Sequence, residues 1–238
     1  MNKILLKSAF TVSLLLVLMA VPVYGADVNK SRNVEAGAHS DGESTVNGSI
    51  TVGDGATVAG GLETVNGRIH VGKNAVIEDA QTVNGGVTIG DGVKCGGVST
   101  VNGSIEVGEQ TTADEVSTVN GHIGLDNGSS TGGDVSTVNG GIDLQGSRVG
   151  GNVTTVNGNV DLSDSAVIAG DLVVKKAHSW FGNDSHPPEI VIGPGSRVQG
   201  TIRLERKVKL FISESAEVGG VEGVMSMDDA VRFSGKRP

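Results

Sequence analysis

Thr100-Val-Asn-Gly-Ser-Ile-Glu-Val-Gly-Glu-Gln-Thr-Thr-Ala113 is the stretch that decides the fold of this 238-residue chain. Its first four residues, Thr-Val-Asn-Gly, occur seven times, starting at Thr45, Thr64, Thr82, Thr100, Thr118, Thr137 and Thr155, in steps of 18 or 19 residues. A fixed period of this size marks an architecture of stacked repeats. Within the stretch, Ile105 and Val107 stand two apart with Glu106 between them. That alternation puts the aliphatics on one face of a short strand and the carboxylate on the other. The pair recurs as Ile50/Val52, Ile69/Val71, Val87/Ile89, Ile123/Leu125, Ile142/Leu144 and Val160/Leu162. Between them lie Thr51, His70, Thr88, Gly124, Asp143 and Asp161, a polar or glycine column suited to solvent.

A finer register runs through Val83, Ile89, Cys95, Val101, Val107 and Ala113, six residues apart. Three sixes make one 18-residue turn, so the sequence predicts an all-β, single-stranded, triangular parallel β-solenoid. Val65, Val71, Ile77 and Val83 keep the same spacing, so the motif valines Val65, Val83 and Val101 fall on this apolar register, which runs from Val46 to Val174. The crossover rule favours a right-handed coil. Glycines every few residues and the lack of a 3.6-residue apolar period exclude a long helix. Asn-Gly marks a corner, where glycine takes a left-handed conformation cheaply and Asn tolerates it. Stacked at one register, Asn47, Asn66, Asn84, Asn102, Asn120, Asn139 and Asn157 are candidates for an axial amide ladder. The competing reading makes each Asn a turn former only.

Along the chain, residues 1–25 read as a secretory signal. Lys3 and Lys7 precede a short apolar core from Thr11 to Val21, and Val23-Tyr24-Gly25 offers a cleavage site. The alternative is an uncleaved anchor. Residues 26–43 are polar, a leader or N-terminal cap. The regular array covers 44–174. Residues 175–188 interrupt it and contain Trp180 and Phe181, either an exposed interaction loop or a flap folded back on the solenoid. Coil pattern resumes over 189–224, and 225–238 is a cap or tail.

Removal of residues 1–25 takes away Lys3 and Lys7, so the formal charge of −9 becomes −9 − 2 = −11. An acidic surface with few aromatics argues against nucleic acid and anionic lipid as partners. Cys95 is the single cysteine, so no internal disulfide forms, and its register reads as a buried small hydrophobe. No phosphate-binding loop is present. Gly53-Asp-Gly55, Gly90-Asp-Gly92 and Asp126-Asn-Gly128 read as solvated corners in preference to calcium turns. No catalytic, cofactor or metal residue is assigned.

Val87-Thr-Ile-Gly-Asp-Gly-Val-Lys-Cys-Gly-Gly-Val98 and Val191-Ile-Gly-Pro-Gly-Ser-Arg-Val-Gln-Gly-Thr-Ile202 resemble bactofilin coils. The resemblance to this polymer-forming bacterial β-helix family implies a right-handed triangular solenoid that joins end to end. Bactofilins are cytoplasmic, and the export signal departs from that pattern. The expected function is a non-catalytic, exported scaffold of the cell envelope, periplasmic or extracellular, whose partner is a copy of itself. The alternative is a module binding envelope polysaccharide. A hexapeptide-type acyltransferase fits the six-residue period, but His70 and His122 occupy different coil positions and no acyl donor is at hand outside the cell.

Overall fold

The computed structural model of the chain describes residues 28–176 and 187–238. These residues wind into a parallel β-solenoid with three faces. The first face holds eleven strands, from Arg32–Val34 through Ile105–Val107 to Val231–Phe233. The third holds ten, from Glu43–Thr45 to Val221–Gly223. The second, of two-residue strands, runs from His39–Ser40 to Glu217–Val218, with Lys94 bridging Val76 to Thr112 between its two sheets. Every strand pairing is parallel, each coil lying on the next at about 4.8 Å.

Registers give the coil length directly. Ile50 pairs with Ile69, Ile69 with Val87, Val87 with Ile105 and Ile105 with Ile123. Val160 pairs with Ile190, so the interruption sits inside one long turn, and Ile190 pairs with Leu210. The array starts earlier than its sequence motif. Of the stretch expected as a leader or N-terminal cap, the described residues form a coil, with Arg32–Val34 on Ile50–Val52, His39–Ser40 on Thr57–Val58 and Glu43–Thr45 on Leu62–Thr64.

The core is a single column of aliphatics. Ile105, Val107, Ala113 and Val116 are buried from three sides of one coil, and the same positions are filled above and below. Each such Val, Leu or Ile contributes roughly 1.5–3 kcal/mol by leaving water. Cys95 belongs to this column. At the corner between first and second faces the inward residues are mostly small: Ala56, Ala75, Thr111, Ser129, Ser147, Ala166 and Ser196. This is also the left-handed corner. Gly55, Gly92 and Gly128 have φ of 67, 67 and 72°, and Asn74 and Gln110 take their places at 56 and 55°.

The C-terminal tail closes one end. Met225, Met227 and Ala230 pack on the core and Phe233 is buried. A 3-10 turn at Met227–Asp229 is held by Ser226, whose N–H donates to Asp229 Oδ2 at 2.8 Å. Val231–Phe233 then adds the last strand on Phe211–Ser213, so the tail is part of the solenoid as well as its cap.

Candidate functional site: the stacked Thr-Val-Asn-Gly corner

Each Thr-Val-Asn-Gly turns the chain from the third face to the first. All seven threonines, from Thr45 to Thr155, are buried, and all seven valines that follow them are half-buried. The placing of Val46, Val65, Val83 and Val101 on the inward apolar register is therefore corrected: threonine fills the core position. The reason is a hydrogen bond. Thr64, Thr82, Thr100 and Thr118 donate from Oγ1 to the carbonyls of Gly48, Gly67, Gly85 and Gly103 in the preceding coil, at 2.8 to 3.0 Å. A valine there would leave that carbonyl without this donor. The sequence did carry a signal: Leu62, Val98, Val116 and Val153 stand two residues before their threonines, the spacing of a shared strand face.

The asparagines form a continuous chain. Asn66 Nδ2 donates to Asn47 Oδ1, Asn84 to Asn66, Asn102 to Asn84, Asn120 to Asn102, Asn139 to Asn120 and Asn157 to Asn139, all at 2.8 or 2.9 Å. Every amide donates toward the N-terminal end, so the ladder is polar. Its first rung is Asn29, which accepts from Asn47 at 2.8 Å. Sequence reading missed Asn29 because Val28-Asn29-Lys30 keeps the central pair of the motif and loses its Thr and Gly. The backbone follows suit, with Asn84 N–H bonding Val65 O and Asn102 N–H bonding Val83 O.

The glycine of the motif is explained by close approach, which corrects the left-handed expectation. Of Gly48, Gly67, Gly85, Gly103, Gly121, Gly140 and Gly158, Gly140 alone has positive φ. A Cβ on Gly103 would fall on the carbonyl oxygen of Gly85, and one on Gly85 would fall on that of Gly67. The coils meet here with no room for a side chain.

The ladder ends at the interruption. Thr155 pairs with Val174, so Lys176 occupies the next Asn position, and the chain leaves the coil there. Val174 pairs with Leu204, so Arg206 holds the Asn position one coil later. Its Nη1 reaches back past the level of Lys176 and donates to Asn157 Oδ1 at 2.8 Å. A cationic donor thus takes the terminal acceptor of a polar ladder. Trp180 and Phe181 lie outside the described residues, as does the signal stretch 1–25.

Outside the ladder, the first face presents Asn33, Thr51, His70, Thr88, Glu106, Gly124, Asp143 and Asp161 in one column. Burial pushes the Glu106 carboxyl up; His122 opposes this, and Asp126 and Asp143 add to it. His122 Nε2 lies 3.6 Å from Asp143 Oδ2, while His70 lies between Thr51 and Thr88 on the same face. The Cys95 thiol is pushed up to about 12 by burial, with Asp114 and Asp79 adding to it. Asp54 and Asp91 accept the backbone N–H of Lys73 and Glu109 at the left-handed corner. Among the described residues no group of three His, Cys, Asp or Glu side chains could hold a metal, and no helix is long and apolar enough to cross a membrane. Comparison with protein-family models, curated proteins and solved structures returns no match.

Proposed function

We propose that the chain is an exported, non-catalytic structural rod of the cell envelope that assembles with copies of itself. One observation carries this reading: the polar groups that recur in the motif are engaged coil to coil, at all seven asparagines and at six of the seven threonines, Thr155 alone bonding Gly158 within its own corner. The threonine hydroxyl and the asparagine amide both bond the neighbouring coil. A repeat preserved for binding would aim such groups outward; one preserved for stiffness engages them this way. About ten coil steps at about 4.8 Å give a rod of roughly 48 Å. Polymer formation and the envelope location belong to this proposal, together with the bactofilin resemblance. Electron microscopy of the purified chain tests it: filaments or ordered bundles support the scaffold, and monodisperse rods at all concentrations remove self-assembly from it.

A second reading has its own support. An open polar groove runs along the ladder, lined by Arg68, Asn84, Thr88, Asn102, Ser104 and Glu106. Such a groove suits a linear polysaccharide, although the stretch of exposed column beside it, from Thr51 to Glu106, has no Trp, Tyr or Phe to stack on a sugar. Retention of the chain on envelope polysaccharide, lost on Asn84→Ala with Arg68→Ala, would favour this reading.

A further inference from the structure

Charge is divided unevenly along the rod. Residues 28–174 contain 6 Lys and Arg against 18 Asp and Glu, a balance of 6 − 18 = −12. Residues 175–238 contain 10 against 8, a balance of 10 − 8 = +2. The excess of cations has a definite place. Lys175 and Lys176 lie at the corner where the ladder stops; Arg206 and Lys207 stack above them, and Lys209 opens the adjoining strand of the first face. Lys176, Lys207 and Lys209 are exposed. Elsewhere some cations are paired, Lys73 with Asp91, Arg197 with Glu217, Arg203 with Asp171 and Arg237 with Asp161, while Arg68, Lys94, Arg148 and Lys236 stand singly, without an ion pair among the described residues. Among the described residues, Lys175, Lys176, Lys207 and Lys209 have no such partner; the carboxylates nearest in register are Glu189 and Glu205.

The opposite charge lies on the same flank. Glu106 and Asp143 stand two coils apart in the outward column of the first face, and Asp126 follows Leu125 at the end of that face's strand, both aspartates pushing the Glu106 carboxyl further up. Glu106 is followed in register by Gly124, Asp143, Asp161, Val191 and Phe211, the last on the strand that Lys209 opens. Five coil steps therefore separate Glu106 from the strand that Lys209 opens, and three separate Asp143 from it, about 24 and about 14 Å.

We propose that two copies of this chain pair side by side and antiparallel, the Lys176/Lys207/Lys209 corner of each lying against the Glu106/Asp126/Asp143 strip of the other. A two-fold axis midway between the patches satisfies both contacts at once, because an isologous interface needs the same self-complementary surface on each partner. Parallel, in-register alignment sets like charge on like and is disfavoured. The pairing rests on the self-assembly reading above and names its surface. Exposed ion pairs contribute little singly, so the association depends on several acting together and is sensitive to salt.

Sedimentation velocity of the purified chain tests this at about 0.01 M and about 1 M salt, where the screening length falls from about 30 to about 3 Å. A dimer at low salt that dissociates at high salt is expected. Lys176→Glu with Lys207→Glu and Lys209→Glu should abolish it, as should Glu106→Lys with Asp126→Lys and Asp143→Lys. An equimolar mixture of the two folded variants should restore it, since each then presents the charge the other lacks. A monomer at low salt, or a dimer indifferent to both variants, overturns the proposal. So does a monomer whose basic corner binds polyphosphate, which would make that corner a polyanion site. Filaments that persist through both variants sink the flank pairing alone and leave the scaffold reading standing.

Discussion

The seven Thr-Val-Asn-Gly coils and the coils after the interruption share a core and differ at one corner. Inward on the first face, Ile105 and Val107 have counterparts in Ile190 and Ile192 and in Leu210 and Ile212, all buried. At the corner, Thr100, Asn102 and Gly103 give way to Leu204, Arg206 and Lys207. The outward column changes too, from Thr88, Glu106 and Asp143 to Val191, Phe211 and Val231. The difference separates two roles that the repeat mixes together. Faces make the solenoid, and any inward aliphatic suffices. The motif makes a polar corner in which threonine, asparagine and glycine each meet the neighbouring coil closely. When the asparagine goes, threonine is no longer needed, and Val174 and Leu204 fill its place in the core.

The largest effect should be common to both regions. Ile105→Asp and Ile192→Asp each bury an unpaired charge in the same column and should cost several kcal/mol. Thermal melting that shifts by only a degree or two in either variant would break the claim of one continuous core.

A smaller effect should distinguish the regions. Gly103→Ala drives a methyl onto the Gly85 carbonyl and should destabilise by about 2 kcal/mol or more, whereas Gly220→Ala, with open space around it, should stay within about 0.5 kcal/mol. Denaturant titration of both variants measures the contrast; equal losses would show that the corner glycine is there for some other reason.

The inward threonine position gives a reciprocal pair. Thr100→Val keeps shape and loses one bond, about 1 kcal/mol. Leu204→Thr removes apolar volume and puts a hydroxyl into the aliphatic column, and should cost about 1–3 kcal/mol. If Leu204→Thr is neutral, the core position does not distinguish the motif coils from the later ones.

The smallest effect is chemical. Asn-Gly pairs deamidate when the backbone is free to reach the side-chain amide, and the ladder holds each amide at both ends. Asn84, Asn102 and Asn120 should therefore age slowly at mildly alkaline pH. Asn47, which reads from sequence as an end rung, is held by Asn29 and should be protected as well. Arg206→Ala should single out Asn157, raising its deamidation above that of the other six sites in peptide mass spectra. Equal rates at all seven, matching the unfolded chain, would reduce the ladder to a set of turn formers.

What the sequence determined by itself was the coil. A strict 18- or 19-residue step, aliphatics two apart and glycines at every turn leave only a stacked parallel sheet, because no other fold brings residues of that spacing into register. The alignment of the asparagines follows from the same spacing. Tertiary structure alone decided which side of the motif faces in. Thr and Val are similar in size and both suit a strand, so periodicity counted over sixes chose valine. The choice is made by a carbonyl in the preceding coil, a partner 15 residues away for Thr100, which only a hydroxyl can satisfy. The glycine belongs to the same class. Its reason is the oxygen of another coil, and that distance exists only once the coils are stacked. Asn29 and Arg206 complete the point. Neither lies in a Thr-Val-Asn-Gly motif, and stacking alone brings each to an end of the ladder.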